Sequence, residues 1–141
     1  MAIIYLIACA KQKQLTPSRA EEMYISPLYR KSKAYALLKS DSWFILSAKY
    51  GLLKPNKIID PYEQTLKTMP HRDRISWAEQ TLKLIVSHTS INDHLVFLAG
   101  KDYTEHLLTQ LIVLGYSTET PLSNMSIGNR LRWLNNQLKL T

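Results

Sequence analysis

Three short apolar runs constrain this chain more than any other feature: Ile3-Ile4-Tyr5-Leu6-Ile7-Ala8, Trp43-Phe44-Ile45-Leu46 and Leu95-Val96-Phe97-Leu98-Ala99. Each is continuous rather than alternating, as expected of strands covered on both faces in a parallel sheet. The intervening segments change to helical spacing, with Ile75, Ala78, Leu82 and Ile85 on one face, then Tyr103, Leu107, Leu111 and Leu114 on another. That change of period marks βαβ units. With right-handed crossovers it predicts an α/β chain folded as a three-layer αβα sandwich around a short, mainly parallel sheet.

Helix boundaries follow from local chemistry. Ser26-Pro27 supplies a capping hydroxyl and a proline at the first helical position, where a missing N–H costs nothing, and Pro70 is expected to open the next helix in the same way. Asp102 suits the first turn of a third helix, and Gly115 its end. A fourth, with Ile127, Leu131, Leu134 and Leu138 on one face, is expected after a Ser126 cap, and a weak fourth strand near Tyr116 to Thr120. The stretch from Lys49 to Met69 shows no clear period and contains Gly51, Pro55, Asn56 and Pro61, so it reads as a long, functional loop.

At 141 residues with 45% hydrophobic content, the chain suffices for one core, and residues 1–141 are taken as a single domain. No run approaches the roughly 20 apolar residues that span a bilayer, and the apolar start lacks a basic leader. A single cysteine, Cys9, gives no internal disulfide and fits a reducing, cytoplasmic setting. The net charge of +7 is uneven: residues 1–74 hold 13 Lys/Arg against 6 Asp/Glu, while residues 75–141 hold 5 of each. Such asymmetry points to an anionic partner, a nucleic acid or a nucleotide, or else to a solvated basic face.

In parallel α/β sheets ligands bind at the carboxyl ends of the strands. Here those ends run into Cys9-Ala10-Lys11-Gln12-Lys13, Ser47-Ala48-Lys49-Tyr50-Gly51 and Gly100-Lys101-Asp102-Tyr103. The topology would bring Lys11, Lys13, Lys49 and Lys101 to one rim, where mutual repulsion calls for an anion. Asp60 or Glu63, flanking Pro61-Tyr62, is the candidate general base, and Tyr50, Tyr62 and Tyr103 are candidates to stack on a base or donate a hydrogen bond. Cys9 reads either as a nucleophile near two lysines or as a small buried residue. His71, His88, His94 and His106 lack zinc spacing, and no GxGxxG, Walker-type or GxSxG motif is present, so neither a metal nor a cofactor is expected. The Ser126-to-Arg130 helix start is a further anion candidate.

Taken together, Leu46-Ser47-Ala48-Lys49-Tyr50-Gly51-Leu52-Leu53, Pro55 and Ile59-Asp60-Pro61-Tyr62 resemble the SA-x-YGLL-x-P…I-x-PY stretch of the YaaA-type peroxide-stress proteins. The chain as a whole resembles a family of small bacterial and phage domains that share Cys9, Lys11 and Lys13, then Tyr24, Ser26, Pro27 and Tyr29, the central motif, Gly100 and Tyr103, and Pro121, Leu122 and Gly128. The resemblance implies DNA binding in a stress response, and a uracil-DNA-glycosylase-like or Rossmann-like fold with a pocket for an extruded base. The Gly-Gln-Asp-Pro-Tyr-His motif of uracil-DNA glycosylases is absent. On this reading the candidate catalytic residues are Asp60, Lys49 and Tyr62, and the candidate substrate-binding residues are Cys9, Lys11, Lys13, Ser47, Tyr50, Gly100 and Tyr103. The expected function is nucleobase or nucleic-acid binding, with N-glycosidic hydrolysis as its chemistry. A non-catalytic nucleic-acid module and an enzyme for a free nucleotide or phosphorylated metabolite stand as alternatives.

Overall fold

The computed structural model describes residues 1–139. Its five-stranded sheet has the order β4-β3-β1-β6-β7, in which β1 (Ile3–Ala8), β3 (Ser42–Ser47), β6 (His94–Leu98) and β7 (Ser117–Glu119) run parallel and β4 (Gly51–Leu53) is antiparallel. The apolar runs are continuous for the reason expected. Successive side chains of a strand face opposite ways, and here both faces are covered. Tyr5, Ile7, Ile45, Val96 and Leu98 pack with Tyr29, Tyr35 and Ala36 of α2 (Pro27–Lys39) and Leu134 of α5 (Ile127–Lys139). The alternate residues Ile4, Leu6, Phe44, Leu46, Leu95 and Phe97 pack with Trp77, Ala78 and Ile85 of α3 (His71–His88) and Leu107 and Leu111 of α4 (Lys101–Leu114). The result is the three-layer αβα sandwich.

The helix boundaries obey the local chemistry with one shift. Ser26 caps α2, its Oγ accepting from Tyr29 N–H at 3.2 Å with Pro27 at the first helical position. Ser126 Oγ accepts from Asn129 N–H at 3.2 Å at the start of α5. Gly115 ends α4 at φ 100°, in the left-handed region where glycine avoids the Cβ clash. Pro70 differs from expectation: it stands one residue outside α3, in extended conformation, with no side-chain cap. Replacing Ser26 by alanine is expected to cost about 1 kcal/mol, and Ser26→Asp to restore most of it. Urea denaturation of the three proteins measures both effects.

The segment from Lys49 to Met69 is not a plain loop. It holds β4, which closes the sheet edge, and β5 (Ile58–Ile59), which pairs antiparallel with β2 (Ser18–Arg19) in a separate two-stranded ribbon beside the short helix α1 (Ala20–Met23). Ala20 N–H donates to Lys57 O at 2.7 Å and Glu21 N–H to Pro55 O at 2.9 Å. Strands of two or three residues are too short to show a period, so the sequence hid them. No helix among the described residues is long and apolar enough to cross a membrane.

Candidate functional site

The sheet order places β1 between β3 and β6. The chain leaves β1 toward α2 on one face and leaves β6 toward α4 on the other, so the strand ends diverge between β1 and β6. A doubly wound sheet opens its crevice at such a point, and a cleft of about 680 Å³ lies there. Its floor comprises Ala8 and Cys9 at the end of β1, and Leu98, Ala99 and Gly100 at the end of β6. Three helices present their first turns to it: α2 through Ser26, Pro27 and Leu28, α4 through Asp102 and Tyr103, and α5 through Ile127, Arg130 and Leu131. Residues 63–68 and Leu122 complete the wall.

Lining groups are mostly apolar, and the ionic ones are Lys11, Lys67, Arg130, Glu63 and Asp102. Arg74 faces Asp102 at 3.4 Å and Glu105 at 3.6 Å, so Asp102 is already partnered. The first turns of α2 and α5 are capped by serine hydroxyls, whereas Gly100 gives α4 no side-chain cap; the Tyr103 N–H donates to Gly100 O at 3.1 Å, which leaves the N–H groups of Lys101 and Asp102 for solvent or a ligand. Each helix directs the positive end of its dipole at the cleft.

Of the residues singled out in the sequence, Cys9, Lys11, Gly100 and Tyr103 line this cleft. Cys9 Sγ and Tyr103 Oη share a hydrogen bond at 3.1 Å, and Tyr103 stacks edge-on against Trp77 with ring centres 5.7 Å apart. Burial is the main cause that pushes the Tyr103 phenol well above its ordinary range.

A second group lies beside the cleft without lining it. Tyr62 Oη shares hydrogen bonds with Tyr24 Oη at 2.6 Å and Ser47 Oγ at 2.7 Å, and Ser47 Oγ also accepts from Lys49 N–H at 3.2 Å and Tyr50 N–H at 3.0 Å. Lys13 Nζ sits 4.4 Å from the Tyr62 ring centre, within cation–π range. Burial is the main cause that lowers the Lys13 pKa, with the nearby Glu63 carboxylate among the groups that oppose it. Tyr50 packs edge-on against Tyr62 at 5.6 Å. Ser47, Tyr62 and Tyr24 thus hold the strand-end loops together, with Ser47 O also accepting from Trp77 Nε1–H at 2.8 Å.

The two remaining candidates are placed elsewhere. Asp60 is exposed and outside the cleft, directly after β5, whose last residue Ile59 is turned into the core at 5% exposure. Lys49 is exposed at the β3–β4 turn beyond buried Ala48, with its Nζ 5.2 Å from the Tyr50 ring centre. Lys101 is also exposed and outside the lining. The expected hollow joining positions 11, 49, 60 and 103 therefore contains 11 and 103 alone. Of the two carboxylates flanking Pro61-Tyr62, Glu63 reaches the cleft. Arg130, in the Ser126-to-Arg130 helix start that the sequence offered as an anion candidate, also lines the cleft, whereas sequence reasoning passed over Tyr24 and Tyr29 as site residues. Tyr24 and Tyr29 carried a signal in the Tyr-x-Ser-Pro-Leu-Tyr run.

A doubly wound α/β domain with a strand-end cleft is the class that this fold and site define. The chain belongs to DUF6884, a family of unknown function, whose profile matches residues 4–136. It is similar to the "Uncharacterized protein YfjM" of Bacillus subtilis (strain 168), with 32% identity over 143 residues, spanning 96% of this chain and 94% of that protein. Neither match names a peroxide-stress protein or a glycosylase. No solved structure matches the chain significantly.

Proposed function

We propose that the cleft binds one nucleotide unit, free or extruded from a strand, with N-glycosidic hydrolysis as its chemistry. The observation that carries this reading is the cleft itself: about 680 Å³ at the β1/β6 divergence, lined mostly by apolar groups, with Lys11, Lys67 and Arg130 among its ionic ones. That volume is typical of small-molecule sites. A base would lie against Tyr29, Leu28 and Leu122, and an anionic group would meet Lys11 and the three helix ends. The motif likeness to YaaA-type proteins supports a nucleic-acid source for the ligand. The concave shape favours a single nucleotide over an intact duplex.

In the hydrolytic step, Glu63 is the carboxylate placed to orient water. The water oxygen forms a bond to C1′, the C1′–N bond breaks, and the base leaves with the electron pair. The water proton passes through Glu63 to the departing base. Glu63 replaces Asp60 in this role because Asp60 lies outside the cleft.

The test is thermal denaturation with nucleosides, nucleoside 5′-monophosphates and single-stranded oligonucleotides, followed by chromatography for released base. A bound ligand at a hundred times its Kd is expected to add about 2.7 kcal/mol of stability. Base release that disappears in Glu63→Gln supports hydrolysis. Binding without release leaves a recognition module, and no stabilisation by any of the three classes refutes the reading.

A further inference from the structure

One corner of the cleft is built around an arginine that has charge to spare. Arg130 lies in the first turn of α5, and its Nε–H donates to Met125 O at 3.1 Å, which fixes the plane of the guanidinium. That bond leaves both Nη groups for other partners. Among the described residues no carboxylate forms an ion pair with them, although arginine's planar fork suits paired oxygens.

The guanidinium lies against Gly100, at the end of β6. A Cβ at position 100 would stand 3.1 Å from Arg130 Nη1 and 3.4 Å from Nη2, so a side chain there would press the fork a few tenths of an ångström from its place. Gly100 has φ −79°, which every residue type adopts. The constraint at position 100 is therefore one of space and not of backbone conformation. Both residues line the cleft, together with Lys11 from the end of β1.

We propose that the Gly100–Arg130 corner is a phosphate subsite that takes the terminal phosphate monoester of the cleft ligand. This rests on the cleft reading above and adds the position and charge of the group bound. Arg130 Nη1 and Nη2 meet two phosphate oxygens, Lys11 neutralises the second charge, and the uncapped first turn of α4 donates N–H groups beside them. An internal phosphodiester carries one charge where a monoester carries nearly two, so the corner prefers a free nucleotide or a strand end.

Calorimetric titration separates the possibilities, using inorganic phosphate, ribose 5-phosphate, the four ribonucleoside 5′-monophosphates and the matching nucleosides. Monophosphates are expected to bind about tenfold or more tightly than their nucleosides. Arg130→Gln should remove that ratio, Arg130→Lys should regain part of it, and Gly100→Ala should reduce it several-fold. Arg132→Gln, on the same helix but outside the cleft, should change nothing. Circular dichroism of each variant verifies the fold.

Equal binding of nucleosides and monophosphates, or a ratio that survives Arg130→Gln, overturns the subsite while leaving the cleft reading intact. Binding of inorganic phosphate or ribose 5-phosphate that requires Arg130, without any nucleoside preference, supports the subsite and refutes the nucleobase. Failure of all four probes to bind at millimolar concentration overturns the subsite, and the cleft reading falls with it if single-stranded oligonucleotides also fail to stabilise the protein.

Discussion

Replacing Phe97 by alanine is expected to lower the stability of the domain by about 3–5 kcal/mol. Phe97 is fully buried in β6, the strand that borders the cleft, where its ring packs with Leu6 and Leu95 of the sheet and the inner faces of α3 and α4. Truncation removes the ring's transfer energy and leaves a void that neighbours on two rigid strands fill only in part. Small domains hold about 5–15 kcal/mol in total, so the loss is a large share. The measurement is the urea midpoint at unchanged slope, with Val113→Ala as a comparison. Val113 is 78% exposed, and its truncation should stay within about 0.5 kcal/mol. A loss below about 1 kcal/mol for Phe97→Ala would mean that the α3–α4 layer does not close on the sheet as described.

Above pH 10 the domain is expected to lose stability steeply. Burial raises the phenol pKa of Tyr24, Tyr29 and Tyr62 well above the ordinary 10.0. In the unfolded chain these groups ionise near pH 10, whereas in the folded chain they stay protonated. The folded state therefore binds more protons than the unfolded state at alkaline pH, and stability falls as pH rises. The contribution is complete below pH 10 and is lost progressively above it, by up to about 1.4 kcal/mol per pH unit for each such tyrosine. Tyr62→Phe should lower stability at pH 7 by about 1–3 kcal/mol, since Ser47 Oγ and Tyr24 Oη each lose a partner. It should also make the alkaline fall shallower by one tyrosine's share. Urea titrations from pH 7 to pH 11 measure both effects, and an unchanged slope in Tyr62→Phe would show that its phenol is not shielded.

The same residues show why part of the site was legible and part was not. Cys9, Lys11, Gly100 and Tyr103 follow directly from strand ends, and strand ends follow from apolar runs that no other element explains. The direction of a side chain just beyond a two-residue strand has no such signal. Asp60 looked chemically suited beside Pro61-Tyr62, yet it is exposed after buried Ile59, and Glu63 is the neighbouring carboxylate that lines the cleft. Tyr62 was taken for a catalytic group, and its hydroxyl proves to tie Tyr24 to Ser47. Arg130 stands 30 positions from Gly100 in the chain and meets it only because α5 packs back beside α2.

What the sequence determined by itself was the layered α/β architecture, the main helix starts and the cationic loops at the strand ends. These depend on periodicity, capping and charge, which are local properties that each segment carries wherever it lies. Only the tertiary structure decided which loops converge. That choice depends on strand order and on the side to which a single residue turns, and both emerge when distant segments compete to bury the same apolar surface.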